Sequence, residues 1–395
     1  MPLNSNQIKY LIGDAKIIRD METISVYEPF DDQVIDYLEI VSKILLNNPE
    51  SKKYPDVITF AFWCRKAFIN SLQKPYADMI NRIGRGMAFH IAPSNVAVNF
   101  AYSLVAGMLS GNANIVRLPS KDFEQVRIIV DALRTGLDDN IKPTICLVQY
   151  GHNQDITDYL SALCDTRIIW GGDQTIATIR KSPLKPRATE IAFSDRYSIS
   201  VIDAEEYLKA INRENIAKGF FNDTYLTDQN ACTSPRLVVW MGDNIEEAQD
   251  IFWNELHSLV KEKYTLHPVQ AVSKYVNLCL QAANHKNVQL KSGNDNYIVR
   301  VKVDELTHSL MECKGDSGYF MEYEAKALDE LLPLCTTQCQ TVSYYGIKAH
   351  EIRDFVMTLR PRGIDRIIPI GKTMDFSLVW DGYDLIRSLS REIRS

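Results

Sequence analysis

The sequence predicts an α/β protein built on a parallel sheet that helices cover on both faces. Short apolar runs alternate with helix-like segments at least four times between residues 85 and 193, and this alternation favours parallel strands joined by crossover helices. The chain has 395 residues, of which 46% are hydrophobic and 24% charged. That balance is ordinary for a globular protein and excludes a disordered or fibrous chain.

The predicted elements follow from apolar spacing and from turn residues. The first eighty residues are mostly helical, with helices over 31–46 and 58–72. The alternating region then contains strands over 87–92, 114–118, 144–149 and 166–170 and from 190, and helices over 95–110, 122–137 and 155–164 and from 173.

A second α/β domain is predicted to begin near residue 204. Its helices cover 204–220, 244–264, 269–284 and 350–359, and its strands cover 236–241, 341–345 and 365–370. The final segment, 376–395, is predicted to be irregular and then a basic helix. We therefore expect a first domain over 1–203 with a helical N-terminal part, a second over 204–370, and a segment over 371–395. This segment would pack back on the first domain or form a subunit interface.

Charge and composition exclude several classes of protein. The chain has 44 Lys and Arg against 50 Asp and Glu, a net charge of −6, and without a basic block it has no footprint for nucleic acid. The uncharged stretch 86–116 exceeds the ~20 residues that a membrane span needs. Pro93 and several Asn residues interrupt it, so we interpret it as a buried strand, turn and helix.

The cysteine pattern indicates reduced thiols in a cytoplasmic protein. There are eight Cys residues, the chain is long enough to form a core without disulfides, and its start lacks a targeting segment. Cys335 and Cys339 are four apart and resemble no zinc signature, so no metal site is expected.

Three segments are candidates for chemistry. Asn95 follows a strand–turn unit and precedes an apolar helix, where it would either cap the helix or point its amide N–H at an anion developing in a cleft. Cys232 lies among small and polar residues, and a Cys in a polar loop that enters a helix has thiolate character. Gly171 and Gly172 follow a strand and suit the approach of a phosphate or ribose, although no GxGxxG is present.

Together these segments resemble the LuxC-type fatty acyl-CoA reductases of the aldehyde dehydrogenase superfamily. The motifs are Ile-Ala-Pro-Ser-Asn (91–95), Asn-Ile-Val-Arg-Leu-Pro-Ser-Lys (114–121), Ile-Trp-Gly-Gly-Asp (169–173), Asp-Gln-Asn-Ala-Cys-Thr-Ser-Pro (228–235) and Gly-Ile-Asp-Arg-Ile-Ile-Pro-Ile-Gly (363–371). The resemblance runs from about residue 80 to the end. It implies an aldehyde dehydrogenase-like fold with a Rossmann-like cofactor domain and an α/β catalytic domain.

The resemblance also implies roles for individual residues. Cys232 would be the nucleophile, and Asn95 would help to bind the oxyanion. The segment ending at Ser120 would hold the adenosine ribose. Lys121 stands where oxidative NAD-using members usually carry Glu, and an ammonium there would attract a 2′-phosphate. We therefore expect NADPH, with Arg117 as a helper; the alternative is that Lys121 is a solvated surface charge.

The general base of the oxidative enzymes is missing. Their Glu-Leu-Gly-Gly-Lys segment is replaced here by residues 191–196, and the nearest Glu is Glu190. A reductase does not hydrolyse its thioester and can dispense with that base. The predicted reaction is thus NADPH-dependent reduction of a fatty acyl thioester to an aldehyde through an acyl-cysteine.

Several questions stay open at the level of the sequence. The alternatives to a reductase are an oxidative NAD(P)-dependent aldehyde dehydrogenase and a non-catalytic partner in an acyl-transfer complex. The acyl donor would be acyl-CoA or an acyl-protein, and the family implies an acyl-protein synthetase partner. The oligomeric state stays open, with a homo-oligomer as one alternative. The apolar helices over 244–284 line either an acyl-chain tunnel or the core.

Overall fold

The structure, a computed structural model, describes residues 7–94, 96–291 and 295–394. Its helices are α1 (Ala15–Asp20), α2 (Asp32–Asn47), α3 (Pro55–Trp63), α4 (Lys66–Gln73), α5 (Asn99–Leu109), α6 (Glu124–Thr135), α7 (Gln154–Leu163), α8 (Asp173–Ile179), α9 (Ala204–Lys209), α10 (Arg213–Thr224), α11 (Ile245–Lys263), α12 (Pro268–Asn284), α13 (Ala349–Leu359) and α14 (Leu385–Leu389).

The strands of the described residues are β1 (Lys9–Ile12), β2 (Arg82–Gly84), β3 (Met87–Ile91), β4 (Ala113–Arg117), β5 (Ile145–Gln149), β6 (Thr166–Trp170), β7 (Thr189–Phe193), β8 (Tyr197–Asp203), β9 (Pro235–Met241), β10 (Gln289–Leu290), β11 (Val299–Lys302), β12 (Tyr319–Glu324), β13 (Cys339–Tyr345), β14 (Arg366–Pro369), β15 (Val379–Trp380), β16 (Tyr383–Asp384) and β17 (Ser390–Glu392).

The chain forms two compact units. The first contains the residues up to Ser194 together with those from Phe376 onward, and the second runs from Asp195 to Asp375. The sequence-based boundary at 203 comes later than this division. Strand β8 accounts for the difference, because it pairs in parallel with β9 and β13 of the second unit.

The first unit is built on a six-stranded sheet in the order β1-β5-β4-β3-β6-β7. Strands β3 to β7 run parallel, and β1 pairs antiparallel with β5 at one edge. The chain moves outward from β3 through β4 to β5 and then crosses to β6. This reversal of strand order creates a crevice at the carboxyl ends of β3 and β6, where open α/β sheets bind ligands.

Helix α5 packs closely against the first sheet through a glycine. A Cβ at Gly107 would lie 2.1 Å from Oδ1 of Asn114 and 2.8 Å from Nε2 of His90. His90 is fully buried, and its ring nitrogens contact Ser103 and Asn114 at 2.8 and 3.0 Å. Because glycine has no side chain, the helix can lie directly over these buried polar groups.

The C-terminal residues belong to the first unit. Strand β17 pairs antiparallel with β2, and the guanidinium of Arg82 donates to the carbonyl oxygens of Arg387 and Ser390 at 2.7 and 2.9 Å. The basic helix predicted for this segment is wrong in extent, since α14 has only five residues and is followed by a strand.

The second unit is built on a seven-stranded sheet in the order β10-β11-β12-β9-β8-β13-β14. Strands β8, β9 and β11 to β14 pair in parallel, and β10 pairs antiparallel with β11. Strands β8, β9, β12 and β13 are almost entirely buried. The loop that carries Cys232 leads into β9, one of these buried strands.

Two predicted helices are each divided in the structure. The segment 58–72 is interrupted because Cys64 ends α3 and Arg65 is extended before α4. The segment 204–220 is interrupted before Asn212, whose side chain accepts a hydrogen bond from Asn215 N and caps α10. Helix α5 begins at Asn99 rather than at 95, with Val98 at its N-cap.

The described part of the chain contains no helix that is both long and apolar enough to cross a membrane. The uncharged stretch 86–116 is instead β3, α5 and β4 with their connections. Its interpretation as buried strand, turn and helix is confirmed for the residues described.

Candidate active site

Cys232 lies in the loop between α10 and β9, in the second unit. Its neighbours are buried, with Ala231 6%, Thr233 3% and Ser234 0% exposed, whereas Cys232 itself is partly exposed. The Ser198 hydroxyl donates to the Cys232 carbonyl oxygen at 2.7 Å. The loop is thus anchored to β8 and presents a single thiol at its surface.

Gln229 holds the same loop from inside the protein. Its backbone has φ of +58°, a left-handed conformation that is strained for a residue with a side chain. The side-chain amide donates to the carbonyl oxygens of Pro235 and Tyr319 at 2.9 and 3.0 Å and accepts from the N–H groups of Gly318 and Tyr319. These four hydrogen bonds satisfy the buried amide and fix the entry of the loop into β9.

A buried carboxylate supports the residues that follow Cys232. Asp223 accepts from the backbone N–H groups of Gly371 and Thr373 at 2.6 and 3.0 Å, and its carbonyl oxygen accepts from the Ser234 hydroxyl at 2.7 Å. Burial raises the pKa of Asp223 to about 6. Asp223 therefore joins the 371–373 turn, through its carboxylate, to the loop of Cys232, through its backbone carbonyl oxygen.

The sulfur of Cys232 accepts a hydrogen bond that the sequence did not predict. Nε2 of Gln340 lies 3.4 Å from Sγ of Cys232, and Gln340 is fully buried. This contact brings together two residues that are 108 positions apart in the chain. No local motif around Gln340 predicts it, since it follows from the pairing of β13 with β8.

Five of the other seven cysteines are poor nucleophiles, because burial disfavours their thiolate forms. All eight are free thiols. Burial raises the pKa of Cys146, Cys164 and Cys335 to about 12. It also raises the pKa of Cys64 and Cys339 far above the usual range. Within the described ranges no group of His, Cys, Asp and Glu could hold a metal ion.

One physical argument for Cys232 is wrong. The loop leads into strand β9 and not into a helix, so a helix N-terminus does not stabilise a thiolate there. The support for a reactive thiol is instead the partial exposure of Cys232 and the amide donor at its sulfur. Asn95, the second catalytic candidate, lies outside the described residues.

The cofactor candidates lie in the first unit, at the carboxyl ends of its parallel strands. Arg117 ends β4; its guanidinium stacks over the Tyr150 ring at 4.6 Å and donates to the Gly151 carbonyl oxygen at 3.2 Å. Ser120 and Lys121 are exposed just beyond it, and the Lys121 ammonium lies 4.9 Å from the centre of the Phe123 ring. Arg117 and Lys121 thus place two positive charges at or just beyond the carboxyl end of β4.

The two glycines follow β6 at the same edge of the sheet. Gly171 N donates to the Phe193 carbonyl oxygen at 3.1 Å, and Gly172 is the N-cap of α8. Just before them, the Trp170 ring stacks on Phe193 with centroids 3.7 Å apart. Gly171 and Gly172 therefore lie beside the crevice at which the order of the strands reverses.

Glu190 is held in an ionic cluster. Its carboxylate accepts from Arg167 at 2.8 and 2.5 Å and from Arg180 at 2.7 Å. Arg167 is 2% exposed and also donates to Ser161 and to the carbonyl oxygens of Ile179 and Ser182. Both oxygens of the Glu190 carboxylate are thus engaged by guanidinium groups, so this cluster is structural.

The fold places the chain among proteins with the aldehyde dehydrogenase architecture. The 1-pyrroline-5-carboxylate dehydrogenase of Thermus thermophilus superposes with a TM-score of 0.66 over 95% of this chain and 82% of that one, at 10% identity. The lactaldehyde dehydrogenase of Escherichia coli gives a TM-score of 0.66 over 95% of this chain and 87% of that one, also at 10% identity. The predicted aldehyde dehydrogenase-like fold is confirmed.

Within this class, the model of the acyl-CoA reductase (LuxC) family matches residues 14–392. The chain belongs to that family. It is similar to the long-chain acyl-protein thioester reductase of Vibrio harveyi, with 24% identity over 319 residues that cover 78% of this chain and 63% of the relative. The Aliivibrio fischeri protein of the same name is 27% identical over 176 residues, 44% of this chain and 34% of the relative. The matched part is thus less than two thirds of either relative.

Proposed function

We propose that this protein reduces a fatty acyl thioester to a fatty aldehyde, with Cys232 carrying the acyl group and NADPH as the reductant. The observation that supports this most directly is the site of Cys232. It is a partly exposed thiol between the buried neighbours Ala231 and Thr233, with an amide donor at its sulfur. Membership of an acyl-CoA reductase family supports the same reaction.

The steps follow from the residues of the chain. The Cys232 thiolate attacks the acyl carbonyl carbon, the new C–S bond forms, and the carrier leaves as a thiol after taking up a proton. Asn95 would donate its amide N–H to the oxyanion. The acyl carbon then takes up a hydride, the C–S bond breaks, and the sulfur leaves as a thiolate while the aldehyde is released. The nicotinamide cofactor supplies that hydride when it is bound.

The first unit provides a suitable place for the cofactor. Ser120 and Lys121 are exposed at the end of β4, and a Cβ on Gly151 would have no heavy atom within 4 Å. These residues fit an adenosine ribose with a 2′-phosphate beside two cations. We assign cofactor binding to Arg117, Ser120, Lys121, Gly171 and Gly172, and acyl transfer to the second unit.

The cluster around Glu190 supports reduction over oxidation. An oxidative enzyme needs a base that activates water for hydrolysis of the thioester. Glu190 was the nearest candidate in the sequence, and its carboxylate is bound by Arg167 and Arg180. Without that base the acyl-cysteine would persist until hydride reaches it.

The donor and the partners belong to the same proposal. The relatives are named for acyl-protein substrates, so an acyl-protein is a donor alongside acyl-CoA. A synthetase that loads such a protein is the corresponding partner. We also propose a cytoplasmic location, with which the eight free thiols are consistent, and a homo-oligomer as the assembly to be tested.

The direct test is covalent labelling. Protein is incubated with radiolabelled long-chain acyl-CoA, or with a labelled acyl-protein, and without cofactor. We expect stable labelling of the wild type and none of Cys232→Ala. Cys279→Ala is the matched control, because Cys279 is the exposed cysteine of the same unit, and it should label fully. Label that persists on Cys232→Ala would contradict the proposal.

A further inference from the structure

Cys232 lies beside two irregularities in the second sheet. Along β8, Tyr197 pairs with Cys339 and Ser198 with Thr341, so Gln340 is an extra residue on β13. On the other side of β8, Ser198 pairs with Pro235 and Ile199 with Leu237, which leaves Arg236 as an extra residue on β9. Bulges re-aim side chains and are frequent next to active sites.

Both bulges flank the residue that anchors the loop of Cys232. Ser198 lies between them and donates to the Cys232 carbonyl oxygen at 2.7 Å. A regular ladder would send residues 339 and 341 to one face of the sheet and 340 to the other. Because Gln340 and Arg236 are the extra residues of the two bulges, their side chains beside Ser198 do not have to follow this alternation between the faces of the sheet.

The Gln340 amide is oriented towards the sulfur. Its Oε1 accepts from the Thr341 hydroxyl at 3.4 Å, which leaves Nε2 to face Sγ of Cys232 at 3.4 Å. Since a thiolate is a better acceptor than a thiol, this donor favours the charged form of the sulfur.

Arg236 brings a buried positive charge to the same place. It is 8% exposed, and its Nε finds no hydrogen-bond partner among the described residues. Burial lowers the pKa of Arg236, and the nearby Cys232 is the largest opposing influence, ahead of Asp195, Cys313 and Asp316. A buried guanidinium with an unpaired nitrogen is costly unless it serves an anion.

The two carboxylates near Arg236 form no close ion pair with it in the described part of the chain. Asp195 forms an ion pair with Lys314 at 3.3 Å. Asp316 has a buried Oδ1 without a partner in the described part of the chain, and burial raises its pKa. The sulfur of Cys232 is therefore the anion that the position of Arg236 suits best.

We propose that Gln340 and Arg236, projected by the two bulges that flank Ser198, hold the sulfur of Cys232 as a thiolate before substrate arrives. The inference rests on the proposed role of Cys232 as the acyl carrier. Both are positioning residues: Gln340 directs the sulfur, and Arg236 supplies the charge that stabilises it. Neither is required to contact the acyl donor.

The experiment follows alkylation of the Cys232 peptide by iodoacetamide as a function of pH, using mass spectrometry on the intact, cofactor-free chain. For R236Q we expect the midpoint of the pH–rate profile to rise by about one pH unit and the rate at pH 7 to fall about tenfold. For Q340L we expect a smaller rise and a fall of roughly threefold. R236K should restore most of the wild-type profile.

Two further readouts separate this role from general damage. R300Q is the matched control, because Arg300 is a mostly buried arginine of the same unit that pairs with Glu322, and it should leave the Cys232 profile unchanged. Burial raises the pKa of the Cys313 thiol, and the charge of Arg236 partly offsets this rise. Alkylation of Cys313 should therefore slow in R236Q but not in Q340L.

A Cys232 midpoint in R236Q that equals the wild-type value would overturn the role of Arg236. If R236Q does not fold, an unchanged midpoint in Q340L would overturn the pair. The measurement needs neither cofactor nor acyl donor, so it is separate from the labelling test. Suppose that the Cys232 midpoint of the wild type lies below those of R236Q and Q340L, and that the wild type takes up no acyl label. That pair of results would refute the proposed function but not the stabilisation of the thiolate by Gln340 and Arg236.

Discussion

At the scale of single residues, Lys121 is the side chain that we expect to discriminate between NADPH and NADH. It is exposed at the end of β4, near Arg117. Changing Lys121→Glu replaces an attraction for the 2′-phosphate by a repulsion. We expect KM for NADPH to rise by roughly 10- to 100-fold, by the loss of one charge-assisted contact, while KM for NADH falls. Steady-state kinetics with both cofactors at one ionic strength measure the change.

The control for this change is Lys142→Glu. Lys142 is also exposed but precedes β5, at the amino end of the strands. It alters net charge equally without placing a carboxylate at the crevice. A cofactor preference that shifts as much in Lys142→Glu as in Lys121→Glu would show that Lys121 is only a surface charge.

Residues that act through a local motif could be predicted, and residues that act through strand pairing could not. Cys232 is recognisable because small and polar residues surround it in the sequence. Gln340 contacts the sulfur of Cys232, and Arg236 lies buried beside Ser198, where two bulges interrupt the pairing with β8. Register between strands is set by contacts far apart in the chain, so the sequence carries no local signal for either residue.

At the scale of elements, amphipathic helices were predicted well and breaks within apolar segments were not. Helices α2 and α6 lie within two residues of their predicted ends. The break at Cys64 and Arg65 was missed because the apolar pattern continues across it. Strands β11 and β12 were missed as well. Glu322 interrupts the apolar pattern of β12 and is satisfied only by partners from other elements.

That buried carboxylate leads to a prediction about β12. Glu322 is 2% exposed; it accepts from the indole N–H groups of Trp240 and Trp253 at 3.0 and 2.6 Å and pairs with Arg300 at 2.8 Å. Changing Glu322→Gln leaves Arg300 buried without its anion. We expect the free energy of unfolding to fall by about 3 kcal/mol, measured by urea denaturation followed through tryptophan fluorescence.

Glu324→Gln is the control on the same strand. Glu324 pairs with Lys302 at 2.7 Å but is 39% exposed, and an exposed ion pair contributes less than about 1 kcal/mol. If the two variants lose equal stability, the buried cluster around Glu322 is not the anchor that its geometry indicates.

At the scale of the whole molecule, each unit contains a buried titratable group with an opposite effect on stability. In the first unit, burial lowers the pKa of His90 to about 4. Its contribution is therefore present above pH 6.5 and is lost as the pH falls towards 4. In the second unit, burial raises the pKa of Asp223 to about 6. Its contribution is present below pH 3.8 and is lost as the pH rises through 6.

Replacing one group at a time should separate the two effects. We expect the stability difference between wild type and His90→Gln to grow by on the order of 3 kcal/mol from pH 4 to 6.5. The difference between wild type and Asp223→Asn should shrink by a similar amount from pH 3.8 to 6, because the buried carboxylate must ionise in the wild type only. Urea denaturation across this range measures both slopes. Slopes of the same sign in the two variants would refute the assignment.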